Sequence, residues 1–212
     1  MIPLCDLVPS RTRPVATLGL AALSAAGSVV LWFIVADAAS PPARLGLAPV
    51  TWSWPGAVAA LAAHQHLDTL IANVLALWLF GPTVEDRLGR GRFVALWAAS
   101  GLAAVAAQIA ATPYSTSMLL GSVGATAGVI AANITLHRRG RILAVTPVIV
   151  GFEFVDLPAW LYAAVWLSVL PLTTLAPFAG LLGATGAGAV VGAVVAALAR
   201  HSERMRIEWW AP

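Results

Sequence analysis

The chain has no lysine, a single cysteine, and only 10% charged residues among its 212. One cysteine, Cys5, excludes a disulfide framework and a thiolate metal cluster. So little charge cannot dress a water-soluble surface on a chain that is 60% hydrophobic, so most of its length is expected in lipid. Every basic residue is Arg, and none lies on an aromatic-interleaved basic surface of the kind that binds nucleic acid. Internal repeats and low-complexity linkers are absent, which favours one domain. Paired intramembrane charges and an inverted repeat are absent too, which argues against a transporter. A lysine-free composition rich in Ala, Gly and Arg is that of a GC-rich bacterial genome, so the expected location is the bacterial inner, or cytoplasmic, membrane.

What is present is a series of apolar runs. Residues 15–35, 93–111, 118–136, 157–175 and 176–198 are each long enough to cross a hydrocarbon core of roughly 30 Å. A sixth run, 57–80, is interrupted by His64-Gln65-His66-Leu67-Asp68-Thr69 and Asn73. Six spans follow, the first retained rather than cleaved as a signal. Arg11 and Arg13 precede the first, Arg87, Arg90 and Arg92 follow the second, Arg138, Arg139 and Arg141 follow the fourth, and Arg200, Arg204 and Arg206 follow the sixth. Only Arg44 falls on the other side, so both termini are expected in the cytoplasm. Residues 1–14 hold too many prolines for a helix and are read as a cytoplasmic segment. The prolines and Trp52 and Trp54 of 40–55 predict an interfacial loop, and 143–156 is read as a cytoplasmic-side connection. The tail, 200–212, alternates charge with Met205, Ile207, Trp209 and Trp210, a pattern for interfacial anchoring or for docking a partner.

Two groups of residues invite a chemical reading. Gly121, Gly124 and Gly128 in one run, and Gly180, Gly183, Gly188 and Gly192 in another, are spaced to let two helix backbones approach closely. His64, His66 and Asp68 alternate like metal ligands, but within a helix that spacing turns successive side chains by about 200°, so no metal is assigned. A mid-bilayer Asp68 would cost roughly 2.5–3.5 kcal/mol, which places it near the outer mouth or beside a histidine. Thr69 and Asn73, one turn apart, share a face.

The order of these pieces resembles one family. Met1-Ile2-Pro3-Leu4 with Asp6, Pro9, Arg13-Pro14-Val15 and Thr17 comes first, then His64 to Asn73, then Phe80-Gly81-Pro82-Thr83-Val84-Glu85-Asp86-Arg87-Leu88-Gly89. Arg141-Ile142, Pro147, Asp156-Leu157-Pro158-Ala159-Trp160 and Trp166 complete it. Together they are similar to the rhomboid intramembrane serine proteases. The resemblance implies an all-α, polytopic bundle of six transmembrane helices over 1–212, with Glu85 as a structural carboxylate bracing the adjoining loop; pairing with Arg87 or Arg90 is the alternative. Active members place a Ser in a Gly-x-Ser-Gly context, a His on the sixth helix as base, and a His and an Asn on the second helix near the oxyanion. Here Gly121-Ser122-Val123-Gly124 puts Val123 at the nucleophile position, and an isopropyl group can neither attack a carbonyl nor lose a proton. The register through Gly188 and Gly192 puts Thr185 at the base position; another puts Pro177 there. Asn73 and the more distant His64 are retained, whereas the nearer His is Thr69.

The expectation is therefore a catalytically inactive, cofactor-free pseudoprotease that binds or stabilises integral membrane protein partners in the lipid bilayer, as an escort or as a subunit of a larger complex. Trp209 and Trp210 are the candidate partner contacts. The alternative is an active protease with unorthodox residues, Ser122 as nucleophile and His64 or His66 as base.

Overall fold

The computed structural model describes the backbone of residues 2–6, 10–36, 45–148, 151–173 and 178–210, and the side chains of 10–33, 45–145, 153–166 and 182–200. The order is β1 (Ile2–Asp6), α1 (Val15–Ala36), a 3-10 turn (Pro49–Thr51), α2 (Trp54–Ala59), α3 (Leu67–Leu88), α4 (Arg90–Ala111), α5 (Gly121–Leu136), β2 (Arg141–Val148), β3 (Gly151–Pro158), α6 (Ala159–Thr173) and α7 (Phe178–Trp210). Among the described residues, four helical stretches are long and apolar enough to cross a membrane: Val15–Phe33, Leu67–Leu88, Arg90–Ala111 and Leu182–Arg200. The shorter α5 is the central helix, with twelve of its sixteen residues buried. Protein rather than lipid covers it, so its length need not match the bilayer.

Three expectations change. The second span begins at Leu67, not residue 57, and runs to Leu88. The apolar stretch before it forms α2 and a turn, with Ala57, Ala60 and Ala63 buried against protein. Its hydrophobicity serves an internal packing surface. The all-α expectation omits an antiparallel sheet of order β1-β2-β3, made from the segments read as a proline-rich tail and a connection. Period-two burial drives it, since Ile142 and Ala144 are fully covered while Leu143 and Val145 are half-buried. Finally, the tail continues α7 as helix to Trp210 rather than forming a separate segment; the side chains of Trp209 and Trp210 lie outside the described residues.

Contacts between helix ends fix their relative directions. Glu85, buried near the end of α3, accepts from the main-chain N–H of Ala16 (3.0 Å) and Thr17 (2.8 Å) and from the Thr17 hydroxyl (2.8 Å). A carboxylate at the start of α1 satisfies orphan amides and meets the positive end of the helix dipole. Asp86 does the same for Thr12, at 2.8 Å and 2.7 Å. Gly89, with φ of 81°, separates α3 from α4 by a single residue. At the same end the Asn133 amide donates to the Thr83 hydroxyl (2.7 Å), and Arg200 donates to the carbonyl of Thr135 (2.7 Å). The start of α1, the ends of α3 and α5, the start of α4 and residue 200 of α7 therefore share one side, the side that carries Arg11, Arg13, Arg87, Arg90, Arg92, Arg138, Arg139 and Arg200.

Candidate functional site

The site is built on α5, whose lead-in is held from three directions. Gln108 of α4, fully buried, donates its amide N–H to the Met118 carbonyl (3.0 Å) and accepts from the Leu120 N–H (2.6 Å). The Leu119 N–H reaches the Leu47 carbonyl (2.7 Å), and the Ser122 N–H reaches the Ala60 carbonyl (3.0 Å). These bonds satisfy groups that a helix start would otherwise leave unpaired in an apolar interior.

Along α5 the glycines form a seam. A Cβ on Gly188 would strike the Gly124 carbonyl, and one on Gly192 the Gly128 carbonyl, so α7 lies directly on the α5 backbone. A Cβ on Gly124 would lie 2.9 Å from the Ala184 carbonyl oxygen and would collide with Ala104 of α4 on another side. A Cβ on Gly121 would come to 3.1 Å from Ala60 and Val105. Gly124 thus faces Ala184 and Gly188 across the seam, with Val123 and Thr185 as the chain neighbours of Gly124 and Ala184. This pairing follows the register through Gly188 and Gly192; Pro177 lies outside the described residues. Val123 and Thr185 are both buried, and the Thr185 hydroxyl donates to the Leu182 carbonyl (3.4 Å).

Asn73 comes to the same depth by a different route. Helices α3 and α5 run in the same direction: the start of α5 is bonded, Ser122 to Ala60, to the turn that leads into α3, and Asn133 near its end is bonded to Thr83 of α3. Asn73 precedes Thr83 by ten residues (83 minus 73), and Val123 precedes Asn133 by ten (133 minus 123), about 15 Å of rise in each case. Leu77, one turn beyond Asn73, packs in the same core cluster as Val123. The Asn73 amide N–H donates to the Thr69 carbonyl (2.9 Å), while its buried Oδ1 has no hydrogen-bond partner among the described residues.

His64 precedes α3 and lies against α1. The Ser28 hydroxyl donates to the Ser24 carbonyl (2.7 Å), its oxygen accepts the His64 main-chain N–H (3.0 Å), and it lies 3.1 Å from the ring Nδ1. The ring's other nitrogen, Nε2, is buried without a partner among the described residues. Burial lowers the pKa of His64 to about 4. His66 is the N-cap residue of α3, and Asp68 lies in its first turn, where its carboxylate accepts from the Thr69 N–H (2.8 Å). Among the described residues no three His, Cys, Asp or Glu side chains gather as metal ligands.

Sequence reasoning missed the roles of Gln108, Ser28 and Trp166, whose indole N–H donates to the Ala72 carbonyl (3.1 Å) and ties α6 to α3. Gln108 and Asn133 did leave a signal, a lone amide inside an apolar run, since such groups in membrane helices require a partner. Glu85 braces the start of α1 rather than a loop, and Arg90 approaches it only at 3.8 Å.

This architecture, apolar helices around a short glycine-rich central one, defines a multi-pass helical membrane protein. The family profile described as the Rhomboid domain matches residues 51–201, well over half of the sequence, and the chain belongs to the rhomboid family. Neither the curated proteins nor the solved structures include a match to it.

Proposed function

We propose that this protein is a rhomboid pseudoprotease that binds or stabilises transmembrane segments of other proteins without cleaving them. One observation carries the reading: the residue at the nucleophile position, beside the seam glycine Gly124, is a buried Val123, and Thr185 is buried next to Ala184, which Gly124 faces. Neither an activated hydroxyl nor an imidazole stands there, and the two groups of a serine–histidine mechanism act as a unit, so their loss costs on the order of 10⁶ in rate. In this reading all six apolar helices cross the bacterial inner membrane, with α5 and α6 as the short spans. The arginine-bearing side is the cytoplasmic one, which puts both termini there. Integral membrane partners follow from the small extramembrane surface, as clients or as fixed subunits of a complex.

Fluorophosphonate labelling of the purified protein tests inactivity. No labelling is expected; labelling at Ser122 that Ser122→Ala abolishes would establish the unorthodox protease instead. Val123→Ser is expected to stay unlabelled and to gain labelling only together with Thr185→His, whereas Pro177→His in its place gives none. Mild-detergent extraction with mass spectrometry tests the partner, and recovery of a lone monomer would defeat the subunit form.

A further inference from the structure

The apolar surface of a membrane helix is expected to meet lipid, but apolar surface on the sheet at the arginine-bearing end has no such explanation. The registers Ile142↔Leu157 and Ala144↔Val155 form the face turned to the protein, where Ile142 and Ala144 are fully buried. The opposite face pairs Leu143 with Asp156 and Val145 with Phe154, and Phe154 is 65% exposed. Among the described residues β3 pairs only with β2, so its other edge presents unpaired main-chain N–H and C=O groups. Glu153 and Asp156 are exposed on this strand, and neither carboxylate has a hydrogen-bond or ion-pair partner among the described residues. Arg141, on the paired strand, donates to the main-chain carbonyl of Asp156 (3.1 Å).

We infer that the free edge of β3 takes an extended, basic segment of a partner protein as an added strand. Main-chain hydrogen bonds to β3 hold it, an apolar side chain covers Phe154, an Arg or Lys on the same face meets Asp156, and another on the opposite face meets Glu153, which pairs across from Thr146. Strand addition is an established mode of peptide capture at open edges. A second copy of this chain fits poorly: β3 carries no cation, and pairing two β3 edges would gather both carboxylates of each copy along one seam. Basic residues are abundant just inside the cytoplasmic ends of membrane spans, so a membrane-anchored partner carries the required chemistry at the right level. The inference rests on the partner-binding reading above and names the chemistry of the partner.

The test uses the full-length protein in detergent micelles and a fluorescent peptide with an Arg-Val-Val-Arg core, which sets Arg opposite Glu153 and Asp156 and Val opposite Phe154, with anisotropy as the readout. Saturable binding is expected, and N-methylation of the peptide's edge-facing amides weakens it by roughly tenfold or more. Glu153→Lys with Asp156→Lys weakens it by roughly tenfold, and the same peptide with Glu in place of each Arg then binds that variant in preference. Equal binding of the N-methylated peptide, indifference to charge reversal, or no saturable binding would each overturn the inference. So would a homodimer that Phe154→Asp dissociates, because the occupant would then be a second copy. These arms do not depend on catalysis: fluorophosphonate labelling with intact peptide binding would refute inactivity alone, and the converse would refute only this edge.

Discussion

Substituting Gly188 by Ala probes the seam directly. The new Cβ would meet the Gly124 carbonyl oxygen, its carbon at 2.6 Å and its Cα at 2.8 Å; the carbon alone is about 0.8 Å short of ordinary contact at 3.4 Å. These are backbone atoms and cannot rotate aside. Nor can α5 retreat, because Ala104 and Ser100 of α4 press on Gly124 and Gly128 from another side. The helices must separate and lose contact along the seam, at a cost of about 1–3 kcal/mol. Gly186 in the same helix is the control, since a Cβ there meets nothing within 4 Å. Gly186→Ala is expected to stabilise by up to about 1 kcal/mol through helix propensity. Unfolding of the purified protein, titrated with SDS in mild detergent, measures both. The two variants are expected to move in opposite directions, and equal stabilities would refute the seam.

Glu85→Gln leaves one acceptor for donors that now occupy both carboxylate oxygens and turns an amide N–H toward the others, with an expected loss of about 2–4 kcal/mol. Unfolding together with faster hydrogen exchange at the Thr17 amide checks this, and unchanged exchange would rule out the capping role. His64 supplies a pH dependence. Its folded pKa of about 4 lies below the ordinary 6.5, so the unfolded state binds the proton first. The stabilisation is fully present above 6.5 and falls as pH drops toward 4, by about 3 kcal/mol across the window. His64→Gln is expected to remove that slope; a slope unchanged in the variant would assign it to another group.

Membrane residence, the glycine-rich central helices and the family itself were legible from the sequence, because each rests on local content: apolar length, small-residue spacing, motif order. The start of α3 was not. Ala57, Ala60 and Ala63 are as apolar as any lipid-facing run, and only the packing partner distinguishes a surface buried in protein from one facing lipid. The sheet stayed hidden for a similar reason, since strand pairing joins residues 2–6 to 142–145, far apart in the chain. By itself the sequence decided which side chains stand at the family's site positions, Val123, Thr185, Thr69, Asn73 and His64. Tertiary structure alone decided that Gly124 faces Ala184 and Gly188, that Asn73 lies at the depth of Val123, and that His64 is buried against Ser28. Depth, facing and burial are set by hydrogen bonds and backbone contacts between distant helices, and no local pattern encodes them.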